Sequence, residues 1–387
     1  MPTVLVTGAA GFIGRNLLES LRRRPDLDLR GYDVDDDPAE LERALAQAEI
    51  VFHLAGVNRP PTEAEYAAGN AGFTEEICRR LRARSRVPKL VFSSSIQAAL
   101  DNPYGRSKAA AEQVLQDFAR DTGAEVAIYR LPNVFGKWCR PHYNSVTATF
   151  CHQIARGLPI QVSAPDRELE LAYVDDVVQA FRGELHSRST GVAWKEVAVT
   201  HRVRLGRLAE MLQSFQASRE TLAMPDLADD LARKLYATYL TYLSETELAY
   251  ALEQRIDDRG TLAEFLKSAH FGQIFVSRTK PGVTRGNHYH HTKAEKFLVL
   301  DGDALIRLRH VERGDVFEYR IRGADFQVVD IPPGYTHSIR NVGGGELLVL
   351  FWASEVFDAQ RPDTHFLQVD RVVEESHEGK YDRRHAA

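Results

Sequence analysis

The first half of the chain alternates short apolar runs with amphipathic stretches, which predicts β-strands separated by helices. The predicted strands are 3–7, 27–33, 50–54, 89–93 and 126–129, and the predicted helices are 12–21, 41–48, 74–84 and 107–120. Strands that are apolar on both faces and alternate with helices are typical of a parallel sheet with two covered faces. We therefore expect an α/β, Rossmann-like, doubly wound parallel sheet.

The pattern changes beyond about residue 260, where short strands alternate with Gly and Pro turns. The predicted strands are 273–279, 296–300, 304–309, 316–320, 327–331 and 347–352. This spacing is typical of an all-β barrel or jelly roll. We expect a first domain over 1–245, with a helical or irregular junction over 217–251, then a second domain over 246–375 and a disordered tail over 376–387.

Length and composition narrow the class of protein. The 387 residues suggest two or three domains at roughly 150 residues each. With 49 basic and 54 acidic residues the formal charge is −5, so we expect neither a nucleic-acid nor a membrane partner. Three cysteines without metal-finger spacing indicate free thiols in a reducing compartment. The N-terminus has no signal-like segment, and we expect a cytoplasmic protein.

A glycine-rich turn follows the first predicted strand. Gly8 allows a tight turn, Gly11 lets the backbone approach a pyrophosphate, and Gly14 lets the helix pack on the strand. This predicts a dinucleotide site. Asp33 lies 19 residues beyond Gly14, where a carboxylate binds both adenosine ribose hydroxyls and repels a 2′-phosphate, which favours NADH. Asp35–Asp37 are better explained as a solvated acidic loop.

Tyr104 and Lys108 are spaced four apart at a predicted helix start, so they share one face. We expect the ammonium to lower the pKa of the phenol and allow proton exchange near neutral pH. Ser93–Ser95 close the preceding strand and offer a hydroxyl that can hold a substrate carbonyl oxygen. These residues predict an oxidoreductase site.

The β-rich half contains a histidine cluster. His288 and His290 are two apart in a predicted strand and therefore point the same way. Glu295 and His337 can join them from neighbouring strands. Three imidazoles and one carboxylate suit a divalent metal, and Zn²⁺ fits nitrogen-rich ligands. His291 is an alternative ligand, but it points to the opposite face. His201, His270, His310 and His365 are expected to be structural or exposed.

Residues 1 to about 240 resemble the extended short-chain dehydrogenase/reductases that act on nucleotide sugars. The matching segments are TGAAGFIG (7–14), HLAG (53–56), Asn70, SSS (93–95), YGRSK (104–108), RLPNVFG (130–136) and YVDDV (173–177). The resemblance implies that Ser95 orients the carbonyl, Tyr104 donates the proton, and Lys108 tunes Tyr104 and holds the nicotinamide ribose.

The same resemblance implies the binding residues. The cofactor contacts are expected at Gly8, Gly11, Phe12, Ile13, Gly14, Asp33, Leu54, Ala55, Gly56, Asn70, Tyr104, Lys108 and Pro132. The candidates for the sugar nucleotide are Asn133, Lys137, Arg140, His142 and Arg167. His53 is expected to be a packed residue at the end of a strand.

The histidine segment is similar to the two motifs of the cupin barrel, although Phe326 stands where the second motif usually begins with Gly. The order of a reductase followed by a cupin resembles the CapF family of capsular polysaccharide synthesis enzymes. The segments that carry this resemblance are DNP (101–103), FGKWC (135–139), NSV (144–146), DDRG (257–260) and GNHYHHTK (286–293).

That family resemblance implies two reactions on a UDP-2-acetamido-2,6-dideoxy-4-ketohexose. The cupin epimerises C3, and the reductase then reduces C4 with NADPH, in the synthesis of the UDP-N-acetyl-L-fucosamine precursor. NADPH conflicts with Asp33, which favours NADH. Two alternatives are a single-activity 4-ketoreductase with a structural cupin and a dinucleotide-sensing regulator, which the Tyr104 and Lys108 pair disfavours. We expect a homodimer.

Overall fold

The computed structural model describes residues 1–253, 255–257, 260–262, 266, 272–355 and 358–370. It divides into two compact units, one formed by Met1–Ser244 with Leu266–Phe271 and the other by Glu245–Phe265 with Gly272–Ala387. The predicted tail 376–387 and His270 lie outside the described residues.

A parallel sheet of six strands forms the centre of the first unit, in the order β2-β1-β3-β4-β5-β8. The strands of this unit are β1 (Thr3–Thr7), β2 (Asp28–Tyr32), β3 (Ile50–His53), β4 (Lys89–Ser95), β5 (Val126–Leu131), β6 (Asn133–Phe135), β7 (Glu168–Tyr173), β8 (Val192–Lys195) and β9 (His201–Arg204). Strands β6, β7 and β9 form a second, smaller sheet. The strand order reverses beside β1, and ligands of such sheets bind beyond the carboxyl ends of the strands at that point.

Helices cover both faces of the larger sheet. They are α1 (Phe12–Leu21), α2 (Pro38–Gln47), α3 (Glu63–Tyr66), α4 (Phe73–Arg82), α5 (Pro103–Thr122), α6 (Val146–Ala155), α7 (Val174–Gly183), α8 (Leu205–Thr221) and α9 (Asp230–Leu240), with a π-helical segment at Ala67–Gly72. Val4 and Val6 belong to one apolar core and Leu5 to another, because successive strand residues point to opposite faces. The predicted doubly wound fold is confirmed. In the described part of the chain, no helix is long and apolar enough to span a bilayer.

Helix α5 begins four residues earlier than the sequence pattern predicts. The Asn102 side chain accepts a hydrogen bond from the Gly105 N–H at 2.8 Å, and Pro103 occupies the first turn. Proline is favoured there because its missing N–H needs no partner. The helix ends at Gly123, whose φ is +71°. Tyr104 therefore lies within the first helical turn rather than before it.

The second unit is antiparallel. Its strands are β10 (Ala249–Ala251), β11 (Arg255–Asp257), β12 (Gly260–Leu262), β13 (Gln273–Thr279), β14 (Thr284–Tyr289), β15 (Glu295–Asp301), β16 (Asp303–His310), β17 (Val316–Arg322), β18 (Gln327–Ile331), β19 (Tyr335–Asn341), β20 (Leu347–Ala353) and β21 (His365–Phe366). Two five-stranded sheets have the orders β10-β18-β15-β20-β13 and β17-β16-β19-β14-β21. Phe297 of the first sheet meets His337 of the second edge-on at 5.6 Å between ring centroids. This agrees with the predicted cupin barrel.

Gly14 is predicted to be required for the turn that joins β1 to α1. A Cβ atom at Gly14 would lie 2.1 Å from the Gly8 carbonyl oxygen, whereas one at Gly183 would have no neighbour within 4 Å. We expect Gly14→Ala to lower the free energy of unfolding by about 2 kcal/mol. Gly183→Ala, the matched control, should leave it unchanged or raise it by roughly 0.5 kcal/mol. Equal midpoints for both variants in urea unfolding would contradict this prediction.

Candidate functional site

The glycine turn leaves the start of α1 open to a ligand. Gly8 has a φ of +69°, and the Gly11 N–H donates to its carbonyl at 3.0 Å. Gly11 is the N-cap of α1, where no side chain caps the helix and the first turn carries no acidic residue. Phe12 and Ile13 are half-buried in that first turn. Uncapped N–H groups and the positive end of a helix dipole fit a dinucleotide diphosphate.

Asp33 stands against this turn, just past the end of β2. Its Oδ2 accepts a hydrogen bond from the Ala10 N–H at 2.7 Å, and its Oδ1 accepts one from Val34 at 2.8 Å. The side chains of Asp36 and Asp37 bond to backbone N–H groups within the same loop and at the start of α2. The Asp33 carboxylate is therefore held in place at the end of β2, against the glycine turn.

His53 is a packed residue at the end of β3, as expected. Its ring nitrogens lie 2.8 Å from the Thr7 hydroxyl and 2.9 Å from the Thr74 hydroxyl. Burial, and then the charge of Lys108, lowers its pKa to about 3. It therefore stays neutral and takes no part in proton transfer near neutral pH.

The loop after β3 meets α5 through Asn70. A Cβ atom at Gly56 would lie 2.8 Å from the Asn70 Oδ1 and 3.7 Å from the Lys108 Nζ, so these groups are close together. The buried Asn70 amide accepts from the Val57 N–H and donates to the Val57 carbonyl and the Ser107 hydroxyl. Both the oxygen and the nitrogen of this amide are therefore hydrogen-bonded to other groups of the protein. Asn70 therefore holds the loop that follows Leu54–Gly56, and its contact with a cofactor stays a prediction.

Tyr104 and Ser95 are brought together at the end of β4. The Ser95 hydroxyl forms a side-chain hydrogen bond with Tyr104, and burial raises the pKa of the phenol to about 12 despite that bond. The Tyr66 ring lies 6.0 Å from the Tyr104 ring, and Tyr143 is close enough to raise the same pKa. Tyr66 and Tyr143 had no spacing signal in the sequence, because neither lies near Tyr104 along the chain.

The expected effect of Lys108 on Tyr104 is wrong. The Lys108 Nζ donates to the Ser93 carbonyl at 2.7 Å and lies 4.3 Å from the centre of the Phe92 ring. Burial lowers the pKa of Lys108 to about 8, although Glu112 opposes this shift. Because the ammonium faces Ser93, burial decides the pKa of Tyr104, and the phenol keeps its proton. A protonated phenol is the form needed to protonate a carbonyl oxygen.

The residues predicted to contact the sugar nucleotide differ from one another in burial and in hydrogen bonding. Lys137 is only 1% exposed, and its Nζ lies 2.7 and 2.9 Å from the two carboxylate oxygens of Asp175. Lys137 therefore forms a buried ion pair in this structure, and its contact with the sugar nucleotide stays a prediction. Asn133 is exposed and donates to the Glu170 carbonyl at 3.2 Å. Pro132 is half-buried between β5 and β6.

The segment after Lys137 passes beside Tyr104. Arg140 and His142 are exposed, and the Arg140 guanidinium lies 5.6 Å from the centre of the Tyr143 ring. Tyr143 is the residue of this segment that acts on the pKa of Tyr104. Arg167 is exposed immediately before β7, and its described contacts do not connect it to Tyr104.

The second unit brings the four predicted metal ligands together. His288, His290, Glu295 and His337 each place one ligand atom within 4.8 Å of all the others. The Glu295 Oε2 lies 3.3 Å from the His290 Nε2 and 3.2 Å from the His337 Nε2. Although burial acts to raise the pKa of Glu295, the two imidazoles hold it far below its ordinary value. Burial and the neighbouring imidazoles lower the pKa of His288 to about 4, so it is neutral.

These atoms fit a divalent cation. The His290 Nε2, the Glu295 Oε2 and the His337 Nε2 are buried without a hydrogen-bond partner. Such groups are costly to bury unpaired, and a bound cation would satisfy all three at once. The ring of His291 instead lies against His365, at 4.7 Å between centroids. Phe326 has a φ of +47°, which explains why glycine is usual at its position.

Asp363 is a residue of this site that the sequence motifs did not reveal. The His290 Nδ1 lies 2.5 Å from the Asp363 carbonyl oxygen, which can only accept, so the Nδ1 carries a proton and the Nε2 faces the Glu295 carboxylate. The Asp363 carboxylate accepts from the backbone N–H groups of 291, 292 and 293 at 2.9–3.0 Å. One residue therefore orients His290 and also holds the loop that leads to Glu295.

Known proteins share both halves of this chain. The family described as "NAD dependent epimerase/dehydratase family" matches residues 4–193, and the "Polysaccharide biosynthesis C-terminal domain" matches residues 255–365. The UDP-2-acetamido-2,6-beta-L-arabino-hexul-4-ose reductase of Pseudomonas aeruginosa is 43% identical over 366 residues, which are 95% of this chain and 98% of that protein.

Solved structures also match nearly the whole chain. The crystal structure of the capsular polysaccharide assembling protein CapF from Staphylococcus aureus is 43% identical, with a TM-score of 0.65, and the match covers 95% of this chain and 100% of that one. A structure of CapF with the inhibitor 3-isopropenyl-tropolone is 39% identical, with a TM-score of 0.60 and the same coverage.

Asp363 is predicted to strengthen metal binding through its carboxylate. We expect Asp363→Ala to weaken Zn²⁺ affinity by roughly 10- to 100-fold, because its carboxylate holds the loop between His290 and Glu295, and groups that hold ligands in place have effects of this size. Asp358→Ala is the matched control, since Asp358 is half-buried on the same segment and accepts from the Gln360 N–H without contacting a metal ligand in the described structure. Competition with a chromogenic chelator measures both affinities. Equal affinities for the two variants would rule out this role of Asp363.

Proposed function

Because this chain belongs to the family of the capsular polysaccharide assembling protein CapF, we propose that it is a bifunctional nucleotide-sugar enzyme. Its second unit epimerises C3 of a UDP-2-acetamido-2,6-dideoxy-4-ketohexose, and its first unit reduces the C4 ketone. The observation that carries the proposal is the presence of two complete side-chain sets in one chain. These sets are Ser95, Tyr104 and Lys108 in the first unit, and His288, His290, Glu295 and His337 in the second.

The reductase half of the proposal follows from Tyr104 and Ser95. A reduced nicotinamide, when bound, supplies the hydride. The carbonyl oxygen gains negative charge as the hydride arrives, and a phenol with a pKa of about 12 carries the proton that neutralises it. The Ser95 hydroxyl, which is hydrogen-bonded to Tyr104, holds the same oxygen in place. Lys108, buried beside Gly56, is positioned to bind the nicotinamide ribose.

The epimerase half follows from the acidity of the proton on C3. That proton lies next to a carbonyl group, so it becomes removable when the developing enolate is stabilised. A divalent metal held by His288, His290, Glu295 and His337 would supply this stabilisation as a Lewis acid.

A single-activity 4-ketoreductase with a structural metal site is the second candidate. The name of the Pseudomonas aeruginosa relative mentions only a reductase, and this favours the alternative. The two candidates differ in one measurable property. Only the bifunctional enzyme exchanges the C3 proton with solvent before any reduction takes place.

His290→Ala is predicted to abolish C3 exchange, because it removes a metal ligand. The substrate is a UDP-4-keto-6-deoxy-N-acetylhexosamine in D₂O without reduced cofactor, and NMR separates exchange at C3 from exchange at C5. Tyr104→Phe is the reciprocal variant. It should keep C3 exchange and lower the rate of cofactor oxidation by about 10²- to 10⁴-fold, the usual contribution of a general acid.

Circular dichroism would verify that His290→Ala remains folded. Retained C3 exchange in that folded variant would favour the single-activity reductase. A wild-type protein that neither exchanges C3 nor oxidises either reduced cofactor would overturn both candidates.

We propose NADH as the preferred reductant, because Asp33 fixes a negative charge where a 2′-phosphate would bind. Asp33→Asn is expected to shift the ratio of kcat/KM for NADH over NADPH toward NADPH by about tenfold, which corresponds to roughly 1.4 kcal/mol. Asp35→Asn, on the same loop and exposed, should leave the ratio unchanged. A strong preference of the wild type for NADPH would show that the charge of Asp33 does not decide the cofactor.

A further inference from the structure

One face of α5 presents three polar side chains to the end of β4. Tyr104, Lys108 and Glu112 are spaced four residues apart, so they are stacked along the helix. Each of them contacts one serine of the strand end. The Lys108 Nζ donates to the Ser93 carbonyl at 2.7 Å, the Ser94 hydroxyl donates to the Glu112 Oε1 at 2.5 Å, and Ser95 bonds to Tyr104. Tyr104 and Lys108 have roles in the proposed reduction, whereas Glu112 has none.

Glu112 is a buried carboxylate whose two oxygens both have partners. It is only 2% exposed, and Arg130 from β5 holds both of its oxygens, with Nε to Oε1 at 2.9 Å and Nη2 to Oε2 at 2.7 Å. A two-point contact with arginine fixes the plane of a carboxylate as well as its charge. The Arg130 guanidinium lies 4.7 Å from the centre of the Trp194 ring, which adds a contact on its outer side.

We propose that Glu112 is a positioning residue of the reductase site, which fixes α5 against the end of β4 and places a carboxylate one helical turn from Lys108. This inference rests on the proposed reductase function. Its physical cause is the attraction between a carboxylate and an ammonium one helical turn apart, which is strong where water is excluded.

The other groups around Lys108 do not supply a negative charge. From β3 it is approached by His53, which is neutral because burial lowers its pKa to about 3. From β4 it meets the Ser93 carbonyl and the Phe92 ring, and Tyr104 on its own helix keeps its proton. Within the described residues, the carboxylate that opposes the effect of burial on Lys108 is that of Glu112.

The direction of the pH effect follows from this arrangement. Burial already brings the pKa of Lys108 down to about 8 while Glu112 is charged. Removing the negative charge lowers that pKa further, so Lys108 loses its proton at a lower pH. The activity that depends on the Lys108 ammonium should then fall at a lower pH than in the wild type.

The test compares Glu112→Gln with Glu184→Gln. Glu184 is a matched control because it is also a buried carboxylate in this unit, where it accepts from the Tyr129 hydroxyl at 2.7 Å and pairs with Lys89 at 2.6 Å. The measurement is kcat/KM for C4 reduction from pH 6 to 10, which reports ionisations of the free enzyme. We expect the alkaline midpoint to move down by about one pH unit in Glu112→Gln, a tenfold change in the ionisation constant, and to stay in place in Glu184→Gln.

Each outcome decides the proposal. An unchanged alkaline midpoint in Glu112→Gln, with activity lowered equally at every pH, would mean that Glu112 is only structural and would overturn the inference while the reductase function stands. If Glu112→Gln does not fold, Glu112→Asp decides, because it draws the carboxylate back by one methylene group and should lower the alkaline midpoint by less than one pH unit. An unchanged midpoint in a folded Glu112→Asp would overturn the inference. A wild type without reductase activity would overturn the proposed function and this inference together.

Discussion

Buried polar side chains need partners, and the two candidate sites differ in how this protein meets that need. In the first unit the polar groups near the ends of the strands satisfy one another. His53 lies between two threonine hydroxyls, Glu112 is held by Arg130 and Ser94, and Lys137 pairs with Asp175. These groups therefore have hydrogen-bond partners without a ligand. In the second unit three buried ligand atoms converge without hydrogen-bond partners, so a bound cation would satisfy them.

The parts of both sites that could be predicted from sequence are those in which local periodicity fixes geometry. A strand–turn–helix with glycines at fixed intervals, two side chains four apart on a helix and two histidines two apart beside a strand translate directly into positions in space. The structure brings Tyr104 to Ser95 and His288 to His290 as that reasoning expects. The parallel sheet was predictable for the same reason, because its buried strands and amphipathic helices have different periods.

Contacts between distant segments could not be predicted in this way. Asp363 lies 73 residues from His290, and Asp175 lies 38 residues from Lys137, so only the register of the folded strands brings them together. The strand Ala249–Ala251 falls within the predicted junction because three residues carry no pattern, and it exists through pairing with Gln327–Ile331. Helical spacing also places Lys108 on the face of Tyr104 without showing that its Nζ turns to the Ser93 carbonyl. Whether the pKa of Tyr104 is raised or lowered depends on the direction in which the Lys108 ammonium points.

Under the proposed function, the chemistry itself orders the two reactions. The proton on C3 is acidic only while C4 is a carbonyl, so epimerisation has to come before reduction. Once Tyr104 has protonated the reduced oxygen, the neighbouring carbon has no enolate to form and its configuration is fixed. A phenol with a raised pKa suits this order, because it gives up its proton only when hydride transfer has made the oxygen strongly basic. The sequence of events therefore follows from the substrate and from Tyr104, and it needs no signal between the two units.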